Sequence, residues 1–397
     1  LSGKALLMRA EQMQALLVQR QQAGLLRQLK VLDSVKGSSL RFQGKSFLNF
    51  SGNDYLGLSG DPAVVAALQQ GASDYGVGST GSPLISGQQL PHQQLCDEIC
   101  DWLNVEAVML FSSGFAANQA MLLGLCGEDE LLLLDKLSHA SMIDAALQLP
   151  GGYKRFLHND VGSLQKLLSA QQQGGLSLEK SAVVATEGVF SMDGDSPDLA
   201  ALTSLCQHYQ APLLLDDAHG IGVHGAEGAG SLVNAGLSSS AAQCLMANFG
   251  KALGGQGGFL ACSQLVADYL TQSARHFIYS TALSPAIAVA MTQSIRLCRK
   301  NQWRRERLIE NIHYCQQLAK QYDLPLLPSD SAIQPLLIGD SNKAMAVSQG
   351  LAGQGIWLSA IRPPTVPQQQ ARLRITLTAL HQKADLALLF QSLKALL

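Results

Sequence analysis

The chain has 397 residues, 47% hydrophobic and 15% charged, a composition that excludes extended disorder and calls for more than one layer of packing. Lysine and arginine total 28 against 30 acids, a formal charge of −2, so no broad attraction to nucleic acid is expected. No apolar run approaches the roughly 18 residues of a membrane span, and the N-terminal stretch lacks a signal-peptide core, so a cytoplasmic protein is expected.

Residues 1–28, "LSGKALLMRAEQMQALLVQRQQAGLLRQ", are polar and helix-like. The alternation in "LRFQGKSFLNF" (40–50) predicts a short hairpin, and "SGNDYLGLSGDP" (51–62) is turn-rich, with Pro62 opening a helix. Residues 1–52 are read as a small N-terminal segment of helix and hairpin. In "HQQLCDEICDWL", Leu95, Ile99, Trp102 and Leu103 have helical spacing, which puts Cys96 and Cys100 on or beside a buried face. The eight cysteines sit mostly in apolar contexts and read as reduced core thiols, with neither a disulfide framework nor a metal site expected.

From residue 107 the runs "AVMLF", "ELLLLD", "AVVATE", "PLLLDD", "QCLMANF" and "GGFLAC" alternate with segments of helical length. That pattern predicts an α/β core, a mostly parallel sheet covered on both faces, over residues 53–289. Near residue 290 it changes to a long helix, followed by short strands around "AIQPLLIGD", "GIWLSAI" and "RLRITLT", which predicts a smaller C-terminal α/β domain over 290–397. The basic run "CRKNQWRRER" (298–307) reads as a solvated helix face.

Ligands of open parallel sheets bind beyond the carboxyl ends of the strands. Ser112–Phe115, Asp135–His139, Glu187, Asp216–His219 and Lys251 all follow expected strands, and they are candidates for one cleft. "GVGSTG" (76–81) fits G-x-G-x-x-G, but it lacks an apolar strand before it and a clear helix after it, so a glycine-rich loop approaching a ligand or another subunit is the better reading. Lys251, in "ANFGKALGGQGG", fails the P-loop pattern because Leu245 and Ala252 stand where a glycine and a hydroxyl residue are required. By itself it remains either a catalyst or an exposed charge. Asp216 ends a very apolar strand, where a carboxylate needs a cation unless it serves as a structural cap. An Asp-x-x-His followed by a glycine-flanked lysine suits pyridoxal phosphate, the acid keeping the ring nitrogen protonated and the lysine forming a Schiff base.

The stretches "NDYLGL", "SSGFAANQA", "DKLSHASMIDA", "TEGVFSMDGD", "DDAHGIGVHG" and "NFGKALGGQGG" resemble the α-oxoamine synthases, a branch of the fold-type I, aspartate aminotransferase-like, pyridoxal-phosphate-dependent transferases. The resemblance covers nearly the whole chain. It implies pyridoxal 5′-phosphate as cofactor, with Lys251 as the Schiff-base lysine, Asp216 on the ring nitrogen, and His219 and Ser191 toward the ring hydroxyl. It also implies that His139 stacks on the ring and that Gly114 and Phe115 offer N–H groups to the phosphate, a favourable anion site at a helix start. Arg374 and Asn53 would hold the amino-acid carboxylate, and Arg27 and Thr365 would lie near the acyl substrate.

"SAIQPLLIGD" and "AIRPPTVPQQQARLRITLTALH" resemble the branch that condenses L-alanine with pimeloyl-CoA or pimeloyl-acyl carrier protein, with loss of carbon dioxide. The alternatives are a sister synthase using glycine and a shorter acyl thioester, a nucleotide-binding enzyme, and a non-catalytic member of the fold. Two positions depart from the family: Asn248 stands where a phosphate-binding Thr is common, and Pro83 where many relatives carry Arg. The resemblance further implies a homodimer with its site at the interface, where Ser280 or Thr281 of "YSTALSP" would reach the partner's phosphate.

Overall fold

The computed structural model describes residues 3–23, 25–173 and 180–397. Its centre is a seven-stranded sheet in the order Ala107–Phe111, Gly258–Cys262, Cys244–Asn248, Leu213–Asp216, Ser181–Glu187, Glu130–Asp135, Tyr153–Phe156. From Cys244–Asn248 onward the pairing is parallel, and only Gly258–Cys262 runs against its neighbours. The protein therefore has the expected α/β fold with a mostly parallel sheet. All six apolar runs became strands because both faces of the sheet are covered. Leu131, Leu133, Leu213 and Leu215 join one hydrophobic cluster, while Leu132, Leu134 and Leu214 join the other. The strand missed by the sequence reading, Tyr153–Phe156, is an edge strand with Lys154 and Arg155 exposed, so it has no apolar run to betray it.

Helix Gly3–Gln22 precedes the N-terminal strands, and Leu1, Ser2 and Gly24 of the expected helical stretch lie outside the described residues. The hairpin of Ser39–Phe42 and Lys45–Asn49 turns at Gln43 and Gly44, with φ of 51° and 74°, as a two-residue loop requires. Ile356–Trp357 adds to this sheet parallel to Lys45–Asn49, so the N-terminal strands are finished by a segment more than 300 positions away. A third sheet pairs Ala371–Thr376 with Ile333–Gly339 and Ala360–Ile361. Among the described residues no helix is long and apolar enough to cross a membrane. All eight cysteines are free, and every one except Cys100 is buried.

Two expectations need correction. The long helix is two helices, Pro285–Lys300 and Gln302–Gln321, broken at Asn301, whose φ of −95° and ψ of 65° are not helical. The basic run is not a uniformly solvated face either, because Arg304 and Arg305 are each only 7% exposed. Arg304 donates to the carbonyl of Leu56 at 2.7 Å and to Asp61 Oδ2 at 2.6 Å, and Arg305 donates to the carbonyl of Cys298 at 2.5 Å. Backbone carbonyls and a carboxylate thus offset part of the cost of burying the two guanidinium groups. Arg299, by contrast, stays at the surface and pairs with Glu98, Asp101 and Glu227.

Candidate active site

The strand ends converge. One cavity of about 150 Å³ is bordered by Gly114 and Phe115, His139, Glu187, Asp216, His219, Asn248 and Lys251, together with Asn118 and Ser141, to which the sequence reading gave no role. Gly114 and Phe115 open helix Gly114–Leu125, where the first N–H groups have no partner inside the helix. Ser113 caps that helix by accepting from Ala116 N at 3.1 Å. His139 caps helix Ala140–Ala146, directly beyond strand Glu130–Asp135. Lys251 sits in a turn closed by Gly254 N donating to its carbonyl at 2.9 Å. Gly254 itself has φ 68°, and a Cβ there would lie 2.3 Å from Ser59 N, so glycine at this position is a packing requirement.

The electrostatics follow from burial. Burial brings the Lys251 amine down to about 8, against the opposing pull of Asp216 and Glu187. Burial, reinforced by the charge of Asp216, pushes Glu187 well above the usual carboxylate range, and Glu187 Oε1 accepts from the backbone N–H of His139 at 2.5 Å. His219 lies well below its ordinary value because it is buried and faces Lys251 and Arg374, so it is neutral near pH 7. His139 is lowered mainly by burial, although the residue keeps exposed surface and borders the cavity. Asp216 accepts from Ala218 N at 3.0 Å and from Asn118 Nδ2 at 2.7 Å.

The other expected residues stand at various removes. Asn53 borders a separate cavity of about 190 Å³, and its Oδ1 accepts from Arg374 Nη1 at 3.2 Å and from the Tyr55 hydroxyl at 3.2 Å. Arg374 is buried and donates from Nε to the carbonyl of Ser191 at 2.6 Å, so Ser191 meets the constellation through its backbone. Arg27 and Thr365 are exposed and border neither cavity. The loop carrying Ser280 and Thr281 is tied to "GVGSTG", Ala282 N donating to Gly81 O at 2.9 Å and Ser284 Oγ to Val77 O at 2.9 Å. Helix Pro62–Tyr75 precedes that glycine run and a short π-helical turn, Pro83–Gly87, follows it, so the strand–loop–helix setting of a dinucleotide fingerprint is missing there. Tyr55, Asn118 and Ser141 were the omissions. Asn118 carried a legible signal, lying four positions along the helix from Gly114 and so on the same face.

The cavity's residues fit pyridoxal phosphate. An anion has unpartnered N–H groups at the start of helix Gly114–Leu125, close against Asn248, since a Cβ on Gly114 would lie 3.1 Å from Asn248 Cβ. Asn248 spends its Oδ1 on Gly250 N at 3.0 Å, which leaves its Nδ2 as a donor. A protonated ring nitrogen has the Asp216 carboxylate, and an aldehyde has the Lys251 amine.

The chain is similar to known proteins over nearly its whole length. Residues 45–393 match the family described as "Aminotransferase class I and II". The 8-amino-7-oxononanoate synthase of Vibrio vulnificus (strain YJ016) is 46% identical over 95% of this chain and 95% of its own, and that of Yersinia enterocolitica is 47% identical over 95% and 96%. Among solved structures, a single-substitution variant of serine palmitoyltransferase from S. paucimobilis with a bound PLP–myriocin aldimine superposes with a TM-score of 0.91 at 27% identity, covering 98% of each chain. An 8-amino-7-oxononanoate synthase from Francisella tularensis gives 0.76 at 28% identity, covering 88% of this chain and 97% of its own.

Proposed function

Because the chain belongs to the class I and II aminotransferase family, in the branch of the 8-amino-7-oxononanoate synthases, we propose that it joins L-alanine to a pimeloyl thioester, of coenzyme A or acyl carrier protein, and releases carbon dioxide to give 8-amino-7-oxononanoate. The observation that carries this reading is the meeting of Lys251, Asp216, His139 and His219 around one cavity, in a chain 46% identical to a synthase of that name. Its cofactor is pyridoxal 5′-phosphate, which when bound supplies an electron sink for the bond to be broken at the amino acid's Cα.

The chain's own groups divide the remaining work. Lys251 Nζ would hold the cofactor, and its amine, brought to about 8 and so partly neutral near pH 7, is the group that would take the Cα proton of alanine. Asp216 would hold a proton on the ring nitrogen, and His219 and Ser191 would address the ring hydroxyl. His139, which borders the cavity, would cover the ring face. The N–H groups of Gly114 and Phe115, with the amide of Asn248, hold the phosphate. Arg374, oriented by Asn53, grips the alanine carboxylate, as the planar fork of a guanidinium suits. Arg27 and Thr365 serve the acyl thioester. Both are exposed in the single chain, and a homodimer in which the second copy closes the site, bringing Ser280 or Thr281 to its neighbour's phosphate, accommodates them.

The test is a comparison of kcat/KM for pimeloyl-, succinyl- and acetyl-CoA, each with alanine and with glycine. Burying the longer methylene chain is worth roughly 0.8 kcal/mol per CH₂, so pimeloyl-CoA with alanine is expected to lead clearly. Acetyl-CoA with glycine matching it would assign the sister activity instead.

A further inference from the structure

A chain of side-chain hydrogen bonds joins Asp216 to His139 through two residues that the proposed reaction leaves without a task. Asn118 Nδ2 donates to Asp216 Oδ2 at 2.7 Å and to Ser141 Oγ at 2.9 Å, and Ser141 Oγ lies 2.8 Å from His139 Nδ1. Asn118 is 1% exposed and Ser141 is fully buried, so the two bonds of the Asn118 amide are shielded from water, while the bond to His139 is partly buried.

The chemistry of the donors gives the chain a direction. A carboxylate only accepts, so the Asn118 amide must present its NH₂ to Asp216. The same NH₂ supplies the second hydrogen to Ser141 Oγ, which leaves the serine O–H free to donate onward. Among the described residues the acceptor it meets is His139 Nδ1, and the backbone N–H of Ser141 points at the same nitrogen at 3.3 Å. Two donors converging on Nδ1 require a lone pair there. A proton on Nδ1 would face the Ser141 N–H and leave the serine hydrogen idle.

We propose that Asn118 and Ser141 are positioning residues that fix the tautomer of His139, holding its Nδ1 as an acceptor so that the neutral ring carries its proton on Nε2, while the same Asn118 amide pins the Asp216 carboxylate. Asp216 and His139 are thereby set by one shared amide, and a change at Asn118 reaches both. This inference rests on the reading of Asp216 and His139 as groups that address the cofactor, but the tautomer can be measured without it.

The test uses the full-length protein labelled with ¹⁵N-histidine, with and without pyridoxal phosphate, and reads the protonation of each ring nitrogen from its ¹⁵N shift at a pH where the ring is neutral. His139→Gln assigns the signal by its loss. The expected result is a proton on Nε2 in the wild type and in Ser141→Thr, which keeps the hydroxyl, and a mixture of both tautomers in Ser141→Ala and Asn118→Ala. In the loaded enzyme, Ser141→Ala is expected to lower kcat about tenfold, the effect of losing one hydrogen bond, and Ser141→Thr to restore it. A wild-type ring with its proton on Nδ1, or a Ser141→Ala variant whose His139 stays fully on Nε2, overturns the inference. A proton on Nε2 in a protein that does not join alanine to pimeloyl-CoA sustains the inference and overturns only the assigned reaction. The wild-type measurement stands even where a variant fails to fold.

Discussion

The hydroxyl of Tyr55 lies 2.7 Å from Nδ1 of His219, in a pocket where both residues are buried. The same hydroxyl reaches Asn53 Oδ1 at 3.2 Å, the atom that also receives Arg374, so Tyr55 links the residues proposed for the cofactor ring to those proposed for the amino-acid carboxylate. Tyr55→Phe keeps the packing but leaves a buried imidazole nitrogen without its partner, a loss of about 1–3 kcal/mol. The expected outcome is a lower urea midpoint together with a raised KM for alanine. If both are unchanged, the bond carries neither stability nor orientation.

Lys251→Ala is expected to abolish covalent attachment of pyridoxal phosphate, read as the loss of a borohydride-fixed mass on the peptide containing residue 251, and to slow exchange of the alanine Cα proton by roughly 10²–10⁴-fold. Wild-type exchange in this variant would remove Lys251 from the chemistry.

The pH dependence has a stated sign. With the amine brought to about 8 by burial, the neutral fraction that can attack an aldehyde grows as pH rises through that value. The rate of covalent cofactor attachment to the cofactor-free protein is therefore expected to climb between about pH 7 and 9 and then level off. A flat profile across this range would show that another group sets the rate.

Asn248→Ala removes the side-chain donor next to Gly114 and is expected to weaken cofactor retention by about tenfold, the value of one hydrogen bond to a charged group at the low end of its range. Equilibrium dialysis of pyridoxal phosphate against the variant measures it. Equal dissociation constants would leave the phosphate to the helix N–H groups alone.

Away from the cavity, His158, just past strand Tyr153–Phe156, bridges Asp135 Oδ1 at the end of the neighbouring strand and Asp195 Oδ2 in the loop after Ser181–Glu187, at 2.9 Å each. Burial alone would lower its pKa, but the hydrogen bonds and charges of the two aspartates outweigh that and raise the imidazole to about 10. A folded-state value above the unfolded 6.5 means the stabilisation is fully present below pH 6.5 and is lost as pH rises toward 10. His158→Gln is expected to cost about 1.5–3 kcal/mol at pH 6, with the gap to wild type closing by pH 10. A gap independent of pH would show that the ring acts by packing against Phe190 rather than by charge.

The sequence by itself determined six of the seven strands of the large sheet and the edge at which their polar ends lie. Strands covered on both faces must be apolar along their whole length, so "ELLLLD", "PLLLDD" and "QCLMANF" declared themselves, and the polar residues that end them had to lie at one edge of a parallel sheet. Motifs such as "DDAHGIGVHG" then pointed to Asp216 and His219 because they are local in the chain. Only the tertiary structure decided what depends on partners distant in sequence. Arg304 is buried because the carbonyl of Leu56, 248 positions away, accepts from it, and Arg374 meets Asn53 across 321 positions. Asn118 reaches Asp216 across 98 positions; its place four residues after Gly114 gives its face of the helix, but nothing in "FAANQA" names the carboxylate it meets there. The period of a helix assigns a side chain to a face, but the hydrogen-bonding partner on that face is supplied by whichever segment the fold packs against it.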